Sequence, residues 1–225
     1  MKHETFQGEA YQPQGDIYVI NDGRKTALLH FAYNRPKIER MRGNPEEVLE
    51  AIDEYARTQK YLMNIGPYKS RTVVDLIKRE KLRVMVELGG YVGYSAIAFG
   101  AALREAGGKH SDSLRRLQVE GKLGRIDLLF LDHYKPAYTM DLKLCEELGL
   151  VGPGSVYAAD SAGKSPYLEY VRSTVQQKRR SSRNTDGAPP KGNPNLVYES
   201  EFIEGREPSG VPDAPEITRC IRAEE

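Results

Sequence analysis

Two cysteines in 225 residues, Cys145 and Cys220, exclude a disulfide framework, and neither has a Cys or His neighbour at metal-ligand spacing. A thiolate or imidazole metal cluster is therefore not expected, whereas a reducing, cytoplasmic location is. Long apolar runs are missing as well. No stretch approaches the roughly 20 apolar residues of a membrane span, and Met1 to Gln7 (MKHETFQ) holds no continuous apolar region. Nor does one sign of charge prevail: Lys and Arg total 33, Asp and Glu 32, and the formal net charge of +1 creates no field to gather nucleic acid or an anionic membrane. Small-molecule chemistry suits this balance better. The length suits a single α/β domain, expected over residues 21–225 after a flexible segment at 1–20.

What is present is organised around Leu82 to Ser95 (LRVMVELGGYVGYS). Val84, Met85 and Val86 form the short apolar run of a buried strand, which stops at Glu87 and the pair Gly89 and Gly90. From Ser95 to Glu105 the chain is dense in helix formers and closes on Gly107 and Gly108. The order is strand, glycine turn, helix, and in open α/β sheets ligands bind beyond the carboxyl ends of strands at such turns. A dinucleotide fingerprint is absent, because from Gly89 its second glycine would fall at Tyr91. An acid closing the strand suits a cationic ligand instead.

Upstream, Asp22 and Gly23 start a helix running to about Ala32, and Asn44, Pro45, Glu46 and Glu47 announce a second. Lys60 to Pro67 reads as an irregular link, followed by a helix over 69–80. Downstream, Ser111 to Glu120 reads as a polar helix, Arg125 to Asp132 as a strand, 139–149 as a helix and Val151 to Asp160 as a third strand. Tyr167 to Gln177 reads as one helix, and 178–195, polar and rich in Pro and Gly, as an exposed loop. Leu196 to Glu204 and Glu216 to Arg222 read as an antiparallel hairpin at the sheet edge.

Three strands thus end in Glu87, Asp132 and Asp160, and parallel connections would bring these acids to one rim. Hard oxygen donors without a His or Cys cluster favour Mg²⁺ over Zn²⁺. Lys135, two residues beyond His133, is either a surface lysine or a base acting beside that rim.

Five ordered motifs carry a resemblance: 63–66 (MNIG), 86–95 (VELGGYVGYS), 130–135 (FLDHYK), Ala159-Asp160 and 202–204 (FIE). Over about residues 20–222 the chain resembles the catechol O-methyltransferase family of class I S-adenosylmethionine-dependent methyltransferases. The resemblance implies a Rossmann-like sheet with helices on both faces, an N-terminal helical layer and a C-terminal antiparallel hairpin. It implies S-adenosylmethionine contacts at Met63, Ile65, Glu87, Gly89, Tyr91, Ser95, Ser111, Asp132 and His133. It further implies Mg²⁺ on Asp132, Asp160 and Ser161, with Lys135 as base and Glu204 gripping a catechol hydroxyl. Tyr61 and Tyr134 fall where the family usually has tryptophan, a residue this chain lacks. The implied activity is O-methylation of a small catechol. The alternatives are a non-catalytic relative serving as a binding module and a methyltransferase for another small hydroxylated acceptor.

One departure is large. About 30 residues that the family carries after Gly108, spanning two strands and an acid for the ribose hydroxyls, have no counterpart here. Hydrogen bonds to a charged partner stabilise by ~1.5–3 kcal/mol each, so cofactor binding is expected at least ~10-fold weaker without that acid. The strand at 84–86 is expected to become a sheet edge, with a marginal monomer or weak self-association as the result.

Overall fold

The computed structural model describes residues 23–36, 38–111, 123–160, 163, 165–183, 190–207 and 210–225. Its centre is a six-stranded sheet of order β2-β1-β3-β4-β8-β5, formed by β1 (Val84–Leu88), β2 (Lys109–Ser111), β3 (Leu128–Leu131), β4 (Val156–Ala159), β5 (Leu196–Phe202) and β8 (Glu216–Ala223). β2, β1, β3 and β4 run parallel, whereas β8 joins β4 antiparallel and carries β5 antiparallel at the edge. A separate two-stranded ribbon, β6 (Gly205–Arg206) with β7 (Pro212–Asp213), lies between β5 and β8 in sequence.

Both faces of the parallel strands are buried, and the alternation of side chains divides the core in two. Met85, Leu128, Phe130, Val156 and Ala158 point to one face. There they meet α2 (Pro45–Thr58), α3 (Gly66–Glu80) and α4 (Tyr94–Glu105) through Ile52, Tyr55, Val73, Ile77, Phe99 and Leu103, with α1 (Arg24–Tyr33) outside. Phe99 and Phe130 meet edge to face at 5.0 Å. Val86, Leu129, Leu131, Tyr157 and Ala159 point to the other face. Covering it are α5 (Tyr138–Glu147) and α6 (Pro166–Val171), through Tyr138, Leu142, Cys145, Tyr167 and Leu168. Both cysteines are free and buried. Among the described residues, no helix is long and apolar enough to cross a membrane.

Several elements form where local chemistry places them. Asn44 caps α2, its side chain accepting from the Glu47 amide at 3.3 Å, with Pro45 in the first turn. α3 begins at Gly66, earlier than expected, because Pro67 can serve in its first turn, where an amide donor is not needed. The chain expected to form one helix over 167–177 forms two, α6 and then α7 (Val175–Arg183), broken at 172–174 where Thr174 bonds Gln177 and starts the second.

Two expectations fail. Residues 178–183 are helical rather than loop, and Lys178 is buried: its ammonium donates to the Leu196 carbonyl at 2.8 Å and lies 4.0 Å from the Tyr198 ring centre. Burial lowers its pKa to about 8. β1 is not an edge strand, because Lys109 to Ser111, instead of opening a polar helix, pairs with Val84 to Val86 in parallel register. The remainder of that expected helix, residues 112–120, lies outside the described residues, as does the N-terminal segment 1–22.

α2 and α4 are tied by the Tyr94 hydroxyl, which donates to the Asp53 carboxylate at 3.0 Å. Burial pushes the Asp53 pKa up to about 6 against this bond and the charge of Arg57. The folded state therefore holds this proton more tightly than the unfolded chain, and the side chain's contribution to stability falls as pH rises from about 4 to 6. Asp53→Asn is expected to stabilise the protein relative to wild type at pH 7.5 and to lose that advantage at pH 4. Thermal unfolding at the two pH values measures the difference.

Candidate functional site

Parallel register decides which side chains share the rim. β1 pairs Glu87 with Phe130 and Leu88 with Leu131, and β3 pairs Leu131 with Ala159. Asp132 and Asp160, each one residue past its strand, therefore project from the same carboxyl end that Glu87 approaches. The backbone continues the pairing: the Asp132 amide donates to the Leu88 carbonyl at 2.9 Å and the Asp160 amide to the Leu131 carbonyl at 2.9 Å.

The turn after β1 fits only one residue type at Gly89. Its φ is +112°, and a Cβ there would lie 2.1 Å from the Asp132 carbonyl oxygen. This close approach presses the two strand ends together. Gly93, at φ +80°, then leads into α4. Tyr91 sits between them at φ +29°, a sparsely populated region for a side chain of its size. Glu87 is 2% exposed and accepts a hydrogen bond from the Ser95 hydroxyl, which α4 presents from its first turn.

Charge on the rim is concentrated and desolvated. Burial, reinforced by the Asp160 charge and then Glu87, holds the Asp132 carboxyl well above the usual carboxylate range, while Lys69 and Lys135 oppose the shift. Lys69, on α3 and 2% exposed, reaches Asp160 at 2.7 Å and Asp213 on β7 at 2.6 Å. Burial disfavours its charge, yet the two carboxylates more than compensate and hold its pKa above the ordinary lysine value. Tyr61 stands in the same field, its hydroxyl pushed up to about 12 by burial and then by Glu207.

The expected site residues divide clearly. Glu87, Gly89, Tyr91, Ser95, Asp132, His133 and Asp160 gather around the glycine turn and strand ends. His133 shares a 2.7 Å contact with Asp141 through Nε2, and its buried Nδ1 has no partner among the described residues. Lys135 begins a short 3-10 segment on the exposed rim, and Tyr134 is exposed beside it. Glu204 lines a cavity of about 650 Å³ together with Tyr68, Gly205, Arg206, Pro212 and Asp213. Met63 is exposed, whereas the Ile65 side chain belongs to the core. The Ser111 side chain and Ser161 lie outside what is described.

Two residues escaped the sequence reading. Asn64 is 9% exposed, and neither its amide nitrogen nor its oxygen has a partner among the described residues. A buried amide without partners just before α3 needs a water, ion or ligand to satisfy it, and its only trace in the sequence is a polar residue between Met63 and Ile65. Lys69 is the other.

A carboxylate expected to hold Mg²⁺ is already engaged: the buried Lys69 ammonium meets both oxygens of Asp160, at 2.7 and 3.0 Å, and the third expected donor, Ser161, lies outside the described residues. Glu87 supplies a buried carboxylate and Asn64 a buried amide without a partner among the described residues, the donor and acceptor types a cation bearing polar groups would need.

The chain is 30% identical over 165 residues to a bovine catechol O-methyltransferase and 31% identical over 165 residues to the murine one, covering 58% of this chain in both. Over that span the chain is similar to catechol O-methyltransferases. It spans 61% of the bovine protein's length and 62% of the murine one's. A probable O-methyltransferase of Mycobacterium tuberculosis is 26% identical over 82% of this chain and 94% of its own length. No protein-family model matches. Among solved structures, an O-methyltransferase of Streptomyces achromogenes involved in tomaymycin synthesis is 14% identical, with a TM-score of 0.42 over 87% of this chain and 96% of that one. That similarity is too slight to bear a conclusion.

Gly89→Ala is expected to destabilise the protein by on the order of 3 kcal/mol, lowering the midpoint of thermal unfolding by roughly 6–12 °C. Gly90→Ala, where an added Cβ meets nothing within 4 Å, is expected to stay within about 0.5 kcal/mol of wild type. Calorimetric unfolding of the pair makes the comparison.

Proposed function

We propose that this protein transfers a methyl group from S-adenosylmethionine to a hydroxyl oxygen of a small catechol-type acceptor. The observation that carries the reading is the buried Glu87, fixed by Ser95 just before a turn that only Gly89 fits, and Glu204 lines a cavity with the β6–β7 ribbon. Similarity to catechol O-methyltransferases at 30–31% identity supports it.

Glu87, Asn64, Gly89, Tyr91 and Ser95 are the residues that would hold the cofactor, with His133 beside them. Bound S-adenosylmethionine supplies an electrophilic methyl group on a sulfonium centre. A buried carboxylate favours such a cation because the desolvated acid lacks any comparable partner in water. The cavity takes the acceptor, and Glu204 accepts a hydrogen bond from the hydroxyl that does not react. Lys135, on the exposed rim beyond Asp132, takes the proton of the hydroxyl that does, acting as the neutral amine. The protein's largest contribution is orientation of two bound molecules against each other. The resemblance also implied Mg²⁺, but Lys69 occupies Asp160, so no step here passes through a metal.

Labelled S-adenosylmethionine incubated with the protein and either catechol or phenol tests the proposal. Methyl incorporation is expected with catechol, and Lys135→Met is expected to lower kcat by roughly 10²–10⁴ while leaving the fold intact. Absence of transfer to any hydroxylated acceptor, with cofactor still bound, would instead identify a binding module.

A further inference from the structure

Lys69 is the most deeply buried cation among the described residues of the rim, and nothing in the methyl transfer sketched above uses it. Its ammonium joins three elements: α3, which carries it, the end of β4 through Asp160 at 2.7 Å, and β7 through Asp213 at 2.6 Å. The packing leaves it little room to leave. A Cβ built on Gly205 would lie 3.0 Å from the Lys69 Cγ, so β6 closes over the aliphatic stem. The ribbon that carries Asp213 is held in turn by the Ile203 amide on the Pro215 carbonyl at 3.1 Å and the Glu207 amide on the Val211 carbonyl at 2.9 Å.

We propose that the Lys69 ammonium is the resident cation of this acidic rim, and that a divalent metal enters only by displacing it from Asp160. The proposal concerns the same rim as the methyltransferase reading and deepens it. The charges facing the ammonium are Asp160 and Asp213 in direct contact, with Asp132 and Tyr61 within its field. A metal ion placed on Asp160 and Asp132 would sit against a positive charge that the packing of α3 and β6 keeps in place. It would therefore compete with the ammonium for both oxygens of Asp160, which Lys69 meets at 2.7 and 3.0 Å. Lys69 also ties Asp160 to the ribbon whose residues Gly205, Arg206, Pro212 and Asp213 line the cavity. It is thus a positioning residue, linking the neutralisation of the rim to the shape of the acceptor pocket.

Calorimetric titration of Mg²⁺ alone into wild type, Lys69→Met, Lys69→Gln and Lys69→Arg tests the proposal on the intact chain. Wild type and Lys69→Arg are expected to show no saturable Mg²⁺ binding in the micromolar range. At least one of the neutral variants, Met or Gln, is expected to bind Mg²⁺ roughly 10- to 100-fold more tightly, the factor for one charge-assisted hydrogen bond no longer broken. Methyl transfer by wild type is expected to survive a chelator. Micromolar Mg²⁺ binding by wild type, or equal affinity in all four proteins, would overturn the proposal. S-adenosylhomocysteine titrated into the same samples reads the methyltransferase assignment separately, because the Mg²⁺ comparison does not depend on it.

Discussion

Three acids brought to one desolvated edge of a parallel sheet must have their charge balanced, and most of the local structure serves that requirement. Ser95 donates to Glu87, Lys69 bridges Asp160 and Asp213, and burial, reinforced by the Asp160 charge, makes Asp132 hold its proton more strongly. The balance depends on the register between β1 and β3, which the contact of Gly89 with the Asp132 carbonyl fixes at its open end. A one-residue slip would carry Met85 and Val86 to opposite faces and take Glu87 off the rim. Core packing and site chemistry are in this sense one constraint: the alternation that sorts Leu128 and Phe130 from Leu129 and Leu131 also aims the acids.

Much of this was legible in the sequence because it rests on local signals. The apolar runs ending in acids, the glycine turn and the Asn44-Pro45 cap each announce themselves within a few residues, and the hairpin of β5 with β8 follows from two alternating segments. Lys69 was not legible. Its partners lie 91 and 144 residues away, and on α3 alone it reads as one more solvated helix lysine. Lys178 fails in the same way: in a basic run it looks exposed, yet Tyr170 and Tyr198 from two other elements enclose it. Long-range partners turn both from surface charges into interior ones. Asn64 escaped because one polar residue among apolar neighbours carries no pattern.

β2 was missed for a different reason. Three residues are too few for either helical or strand periodicity to register, and what makes them a strand is the bare edge of β1, an attribute of the sheet and not of the segment. Its pairing removes the exposed edge expected from the shortened segment and moves the question of association to a much shorter strand, for which edge pairing is weaker. The same pairing places the end of β2 beside Val86 and so beside the turn that the cofactor reading depends on.

Calorimetric titration of S-adenosylhomocysteine into the purified chain, with Glu87→Ala alongside, tests the central claim most directly. The account expects saturable binding at one molecule per chain, weakened at least ~10-fold by the substitution, the loss for one charge-assisted contact at a buried site. No saturable heat with the folded wild type, or the same affinity in both proteins, would contradict it.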